Sequence, residues 1–167
     1  MNIDINRKYF VIIWLRQDLE KTLKKEKIEF INNDAFQCKI DGSIWIKRFS
    51  QYNSEFEFSG LMRLPELDFL ELWNLLLFSK IENNRIGSIL IIEELYGEDL
   101  LEILLEMRNN NGISKKEKQA LKLIKQYSLP FGVFHWKRNT DLNQDEKIKI
   151  IDVWTRINEV ITELISR

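Results

Sequence analysis

The sequence predicts a single α+β domain with an N-terminal helix, an antiparallel β-meander and then a C-terminal helical layer. Three observations carry this prediction. The apolar period shortens from helical to strand-like after Ile28, turn clusters cut residues 28–61 into strand-length pieces, and helical periodicity returns at Pro65 and holds almost to Arg167. Residues 1–64 are thus read as helix plus meander and 65–167 as mainly helical, with no low-complexity linker between them. A chain of 167 residues is long enough to bury one real core.

In chain order, Arg7 to Lys25 reads as a helix with Ile12, Leu15, Leu19 and Leu23 inward and Lys21, Lys24 and Lys25 in its last turns. Its first half carries a competing pattern, because residues 9–14, Tyr-Phe-Val-Ile-Ile-Trp, are aromatic and β-branched enough for a strand. Four strands follow at Ile28 to Ile31, Ala35 to Ile40, Ile44 to Phe49 and Glu55 to Leu61. Asp41-Gly42 predicts a type I′ hairpin, in which both turn residues take positive φ. Phe36, Cys38 and Ile40 alternate with Gln37 and Lys39, and Phe56 and Phe58 with Glu55 and Glu57, the pattern of a sheet covered on one face.

Pro65 is placed at the first position of a helix running to about Lys80, with Leu67, Leu70, Trp73, Leu76 and Leu77 inward. The stretch Ile86 to Arg108 then forms two short apolar helices broken at Gly97, a residue able to take the left-handed conformation that ends a helix. In the first, Ile86, Ile89, Leu90, Ile91, Ile92 and Leu95 make a stripe so wide that the helix is expected to be buried on most sides. In the second, Leu100, Leu101, Leu104, Leu105 and Met107 pack inward and leave Glu98, Glu102 and Glu106 outside at i, i+4, i+8. Ser114 to Glu117 is a capping box that starts a basic helix with Ala120, Leu121, Ile124 and Tyr127 inward. Phe131 to Trp136 is an aromatic connector. Asn143 to Glu146 caps a last helix with Ile150, Trp154, Ile157, Ile161 and Leu164 on one face.

The net charge of −1 conceals a strong segregation. Between Pro65 and Glu106, ten acidic residues face only Lys80 and Arg85, a net of −8; from Met107 to Arg138, eight basic residues face only Glu117, a net of +7. Segregation of this kind can steer association with a charged partner. Carboxylates repeated at i, i+4 repel by about 0.2–0.5 kcal/mol per pair, a cost that a cationic partner would relieve and that a solvated face can also tolerate. The residues expected to meet a partner are Glu94, Tyr96, Glu98, Asp99, Glu102 and Glu106, with Tyr96 as an anchor.

Other chemistry finds little footing in these residues. One cysteine, Cys38, makes no intramolecular disulfide and, with one histidine, no zinc ligand set; Cys38 is expected to pack as a small hydrophobe. His135, between Phe134 and Trp136, reads as a packed aromatic rather than a general base. The nucleophile elbow, the phosphate-binding loop and the dinucleotide fingerprint are absent from the sequence. Neither a metal nor an organic cofactor is expected, and no catalytic residue is assigned. Lys115, Lys116, Lys118, Lys122 and Lys125 form a basic helix that, beside so acidic a neighbour and without a groove-reading motif, reads as a solvated face rather than a nucleic-acid site. The apolar run from Tyr9 to Leu15 is followed by no small-residue cleavage site, no run reaches membrane-spanning length, and a cytoplasmic location is expected.

The 86–125 region, IGSILIIEELYGEDLLEILLEM followed by the amphipathic KKEKQALKLIKQY, resembles the paired helices of HEAT-like repeats. The whole chain resembles the small immunity proteins of bacterial polymorphic-toxin and contact-dependent inhibition systems: cytosolic, motif-poor, α+β and bearing an acidic patch. That resemblance implies a non-enzymatic protein that binds a cognate toxin domain, often a basic nuclease, and blocks its active site. The alternatives are a regulatory or scaffold adaptor that reads a peptide, and a carboxylate-dependent hydrolase using Glu93, Glu94 and Asp99.

Overall fold

The computed structural model describes residues 3–13, 19–32, 35–52, 57–110, 112–128 and 143–167. The elements are β1 (Phe10–Ile13), α1 (Leu19–Glu26), β2 (Ile28–Asn32), β3 (Ala35–Cys38), β4 (Ile44–Tyr52), β5 (Glu57–Arg63), α2 (Phe69–Phe78), α3 (Glu82–Leu95), α4 (Gly97–Asn109), α5 (Lys115–Tyr127) and α6 (Gln144–Ser166). The fold is α+β, as predicted. The sheet is antiparallel in the order β1-β5-β4-β3-β2, so the expected meander β2 to β5 is present with β1 added beside β5. Among the described residues no helix is long and apolar enough to cross a membrane.

The first correction concerns the N-terminus. Residues 10–13 form a strand paired with β5, Phe10 opposite Met62 and Ile13 opposite Ser59, and the expected helix is confined to its second half as α1. The strand is apolar throughout because both of its faces are covered: Phe10 and Ile12 join Met62 under the helices, while Val11 and Ile13 join Leu61, Trp45, Ile28, Phe36 and Cys38 under Leu19 and Leu23 of α1. The sheet therefore has cover on two faces, not one. Phe36 and Cys38 are buried as expected, but Ile40 is 77% exposed in the β3–β4 turn.

That turn also differs from the expected type. Only Gly42 has positive φ, at 69°; Gly42 N–H donates to Cys38 C=O and Cys38 N–H to Ser43 C=O, enclosing Lys39 to Gly42 as a four-residue loop. Asp41 acts through its side chain instead, accepting from Ser43 N–H at 3.0 Å and Ser43 Oγ at 2.6 Å.

β1 is an edge strand, and Asn84 of α3 ties down the backbone at its start. Its Oδ1 accepts from Tyr9 N–H (2.8 Å) and Phe10 N–H (3.3 Å), and its Nδ2 donates to Arg7 C=O (2.8 Å). The asparagine is fully buried, so these bonds answer both its own polar groups and the backbone leading into the strand. One turn on, a Cβ at Gly87 would overlap the Phe10 ring, which shows how closely α3 lies on the sheet.

In the helical layer α2 starts at Phe69 rather than Pro65, which follows a cis peptide bond. Asp68 and Glu71 form a reciprocal capping box there, satisfying the first free N–H groups of the helix. Leu67, Trp73 and Leu76 are buried as predicted, whereas Leu70 is 62% exposed. α3 is the expected core helix, with Ile86, Ile89, Leu90, Ile91 and Ile92 all buried, although Leu95 at its end is half-exposed. Gly97 does not end α3 in a left-handed conformation. It is the first residue of α4, Tyr96 (φ −128°, ψ 34°) makes the break, and a Cβ on Gly97 would come within 3.3 Å of Trp154 Nε1. A one-residue connector cannot fold two helices back on each other, and α4 packs chiefly against α6 instead of making the expected hairpin with α3. The capping boxes at Ser114–Glu117 and Asn143–Glu146 are both formed. Trp154, Ile157, Ile161 and Leu164 are buried and Ile150 partly so. His135 and the connector Phe131 to Trp136 lie outside the described residues.

Candidate functional site

The acidic face is built on α4 because its apolar stripe is fixed elsewhere. Leu100, Leu101 and Leu104 are buried, and helical periodicity then forces Glu98, Glu102 and Glu106 outward, where all three are exposed. Leu105 and Met107 are partly buried against the same core.

The structure divides the six predicted residues into two sets. Glu94, on the last turn of α3, is ion-paired with Arg48 of β4 at 3.2 Å, and the two side chains are only 16% and 18% exposed. Glu98 receives Lys149 of α6 at 2.6 Å, an exposed pair whose hydrogen bond raises the lysine pKa. Asp99, Glu102 and Glu106 have no cationic group within 4 Å among the described residues. Two acids on the α2 side, Glu66 and Asp68, are likewise exposed and outside any ion pair among the described residues.

Tyr96 joins the two groups. Half-buried at the α3–α4 junction, its ring lies 5.8 Å from Phe69, which stacks in turn on Trp73 at 6.5 Å. Burial, reinforced by Asp68, Asp99 and Glu66 and opposed by Arg48, pushes the Tyr96 hydroxyl above the usual tyrosine range. The surface around it is a groove of about 430 Å³, with Phe69, Leu70, Tyr96 and Ile103 as its apolar lining and Asp68, Asp99, Glu102 and Glu106 as its acidic one. A second hollow, about 360 Å³, adjoins Gly97 and Trp154 and carries its own cation, Lys149, among its carboxylates.

Sequence reasoning missed the contribution of α2. Leu70 was read as inward and Phe69 was given no role, and only the Asp68–Glu71 capping pattern could have moved the helix start and turned Leu70 outward. It also missed Arg48 and Lys149, which lie far from their partners in sequence. Glu93, weighed as an acid for hydrolysis, is 1% exposed within α3, whereas Asp99 is on the surface. Among the described residues no group of three or more His, Cys, Asp or Glu side chains is placed to hold a metal.

No family model, curated protein or solved structure matches this chain.

Proposed function

We propose that the protein is a non-enzymatic protein-binding module of the immunity type, which neutralises a cognate bacterial toxin domain by presenting the acidic face of α4 to a basic surface on that domain. The observation that carries this reading is the uneven supply of counter-charge. The fold brings Arg48 to Glu94 and Lys149 to Glu98, yet leaves Asp99, Glu102 and Glu106 without a cation among the described residues, beside an apolar groove. Uncompensated carboxylates one helical turn apart repel, and a cationic partner converts that repulsion into attraction.

The test uses a basic toxin domain encoded next to this chain and the double variant Glu102→Gln/Glu106→Gln. The wild-type association rate is expected to fall steeply with salt, since exposed charges are screened beyond about 8 Å at physiological ionic strength. The variant is expected to associate more slowly and with a shallower salt slope, while the free protein gains about 0.2–0.5 kcal/mol of stability from the relieved pair. Equal rates and slopes for the two proteins would overturn the proposal.

A further inference from the structure

Four features of the groove between the start of α2 and the outer side of α4 bear on what it holds. Its aromatic surface is preset, because Phe69 packs against both Tyr96 and Trp73, and Trp73 is only 7% exposed. Leu70 stands at its margin 62% exposed, so apolar surface and carboxylates meet in one place. Glu102 and Glu106, on successive turns of α4, can reach one ligand from two points. Finally, no side chain among the described residues supplies a cation to either of them, in contrast to Glu98.

Carboxylates beside exposed aromatic surface select for a particular cation. A lysine ammonium is a compact, strongly hydrated charge that loses water on an apolar floor; a guanidinium is planar, weakly hydrated, stacks on rings and forks to carboxylates. We infer that the groove receives an arginine side chain from the partner's surface, with its guanidinium on the Phe69–Tyr96 pair and its N–H groups donating to Glu102 and Glu106. This rests on the protein-binding reading above and specifies which chemistry that face accepts.

The experiment titrates the full chain with two capped peptides, triarginine and trilysine, at about 0.15 M salt, and follows the NMR signals of Phe69, Leu70, Tyr96 and Lys149. Saturable shifts at Phe69, Leu70 and Tyr96 are expected, with triarginine bound roughly two- to fivefold more tightly than trilysine. Glu102→Gln/Glu106→Gln, at exposed positions that leave the fold intact, should weaken both peptides. Tyr96→Leu, checked for folding by its melting curve, should reduce the preference for arginine without abolishing binding. Equal affinity for the two peptides, or shifts at Lys149 as large as those in the groove, would overturn the arginine slot while leaving the acidic-face reading standing. That reading fails separately, on a partner whose association is indifferent to salt and to the glutamine variant.

Discussion

The two faces of the sheet are made from alternate residues of the same strands, yet they are covered in very different ways. Phe10, Ile12 and Met62 meet a layer of five helices, α2 to α6, in a cluster that includes the fully buried Leu72, Leu75, Leu76, Ile89, Ile92, Leu100 and Leu104. Val11, Ile13, Leu61 and Trp45 meet one eight-residue helix, α1, none of whose residues is buried. The difference teaches where rigidity resides. Burial scales with apolar area removed from water, so the helical side holds most of the stability and fixes the acidic groove, while the α1 side is a thinner cover expected to open locally at lower free energy.

The largest expected effect comes from Trp154→Ala on the helical side. Trp154 is 3% exposed and borders Gly97, the residue that starts α4, so its truncation should cost about 3–5 kcal/mol and loosen α4 against α6. A melting temperature within about two degrees of wild type would contradict the central place given to this cluster. Next is Gly87→Ala. A methyl group would gain about 1 kcal/mol of helix propensity, but it would overlap the Phe10 ring and also Phe10 Cβ, which no rotamer change moves clear. Overpacking of this kind typically costs about 1–3 kcal/mol, so net destabilisation is expected, and a more stable variant in denaturant titration would show that α3 can move off β1 freely.

The α1 side should respond more weakly. Leu23 is only partly buried, and Leu23→Ala is expected to cost about 1 kcal/mol. Because the variant raises the native state relative to every state in which α1 is open, all amides should quicken by a similar factor in hydrogen exchange, and the separate opening of this side is read instead from α1 amides that exchange with a lower opening free energy than those of α3 and α4; equal opening free energies would mean the two sides open together.

The smallest effect concerns the rim of that side, where Asp41 bonds Arg63 at 2.7 Å and Arg63 lies 5.9 Å over Trp45. Hydrogen bonds from Ser43, chiefly through its side chain, hold the Asp41 pKa below its ordinary value of 3.8. A carboxylate with a depressed folded pKa contributes stability that is fully present above its unfolded value and is lost as pH falls through the folded one. Asp41→Asn should therefore flatten the acid limb of the stability curve below about pH 4 and leave the groove unchanged. An acid limb identical to wild type would remove Asp41 from that account.

Much of this architecture was legible in the residues themselves. The capping box at Ser114 and the N-cap at Asn143 are local signals, complete within four residues; both form, and the one at Asn143 is a full capping box as well. The all-round apolar character of residues 86–92 was enough to mark α3 as the buried helix, because a helix with no polar face has nowhere to go but the interior. Alternation around Cys38 likewise identified the meander.

What tertiary structure decided was each point where a residue's neighbour is distant in sequence. Residues 10–13 became a strand because β5 supplied hydrogen-bond partners and both faces found cover; their aromatic and β-branched composition had offered the strand as a competing reading, but the pairing that settles it is distant in sequence. Gly97 is small for Trp154 rather than for a left-handed turn. The acidic row, a single series in sequence, was split by Arg48 and Lys149 into neutralised and open parts, and its open part acquired an aromatic floor from α2. Charge and periodicity along one helix specify which residues face outward. What stands opposite them depends on packing between elements, and the energy of a charge is set by that neighbour as much as by the residue that carries it.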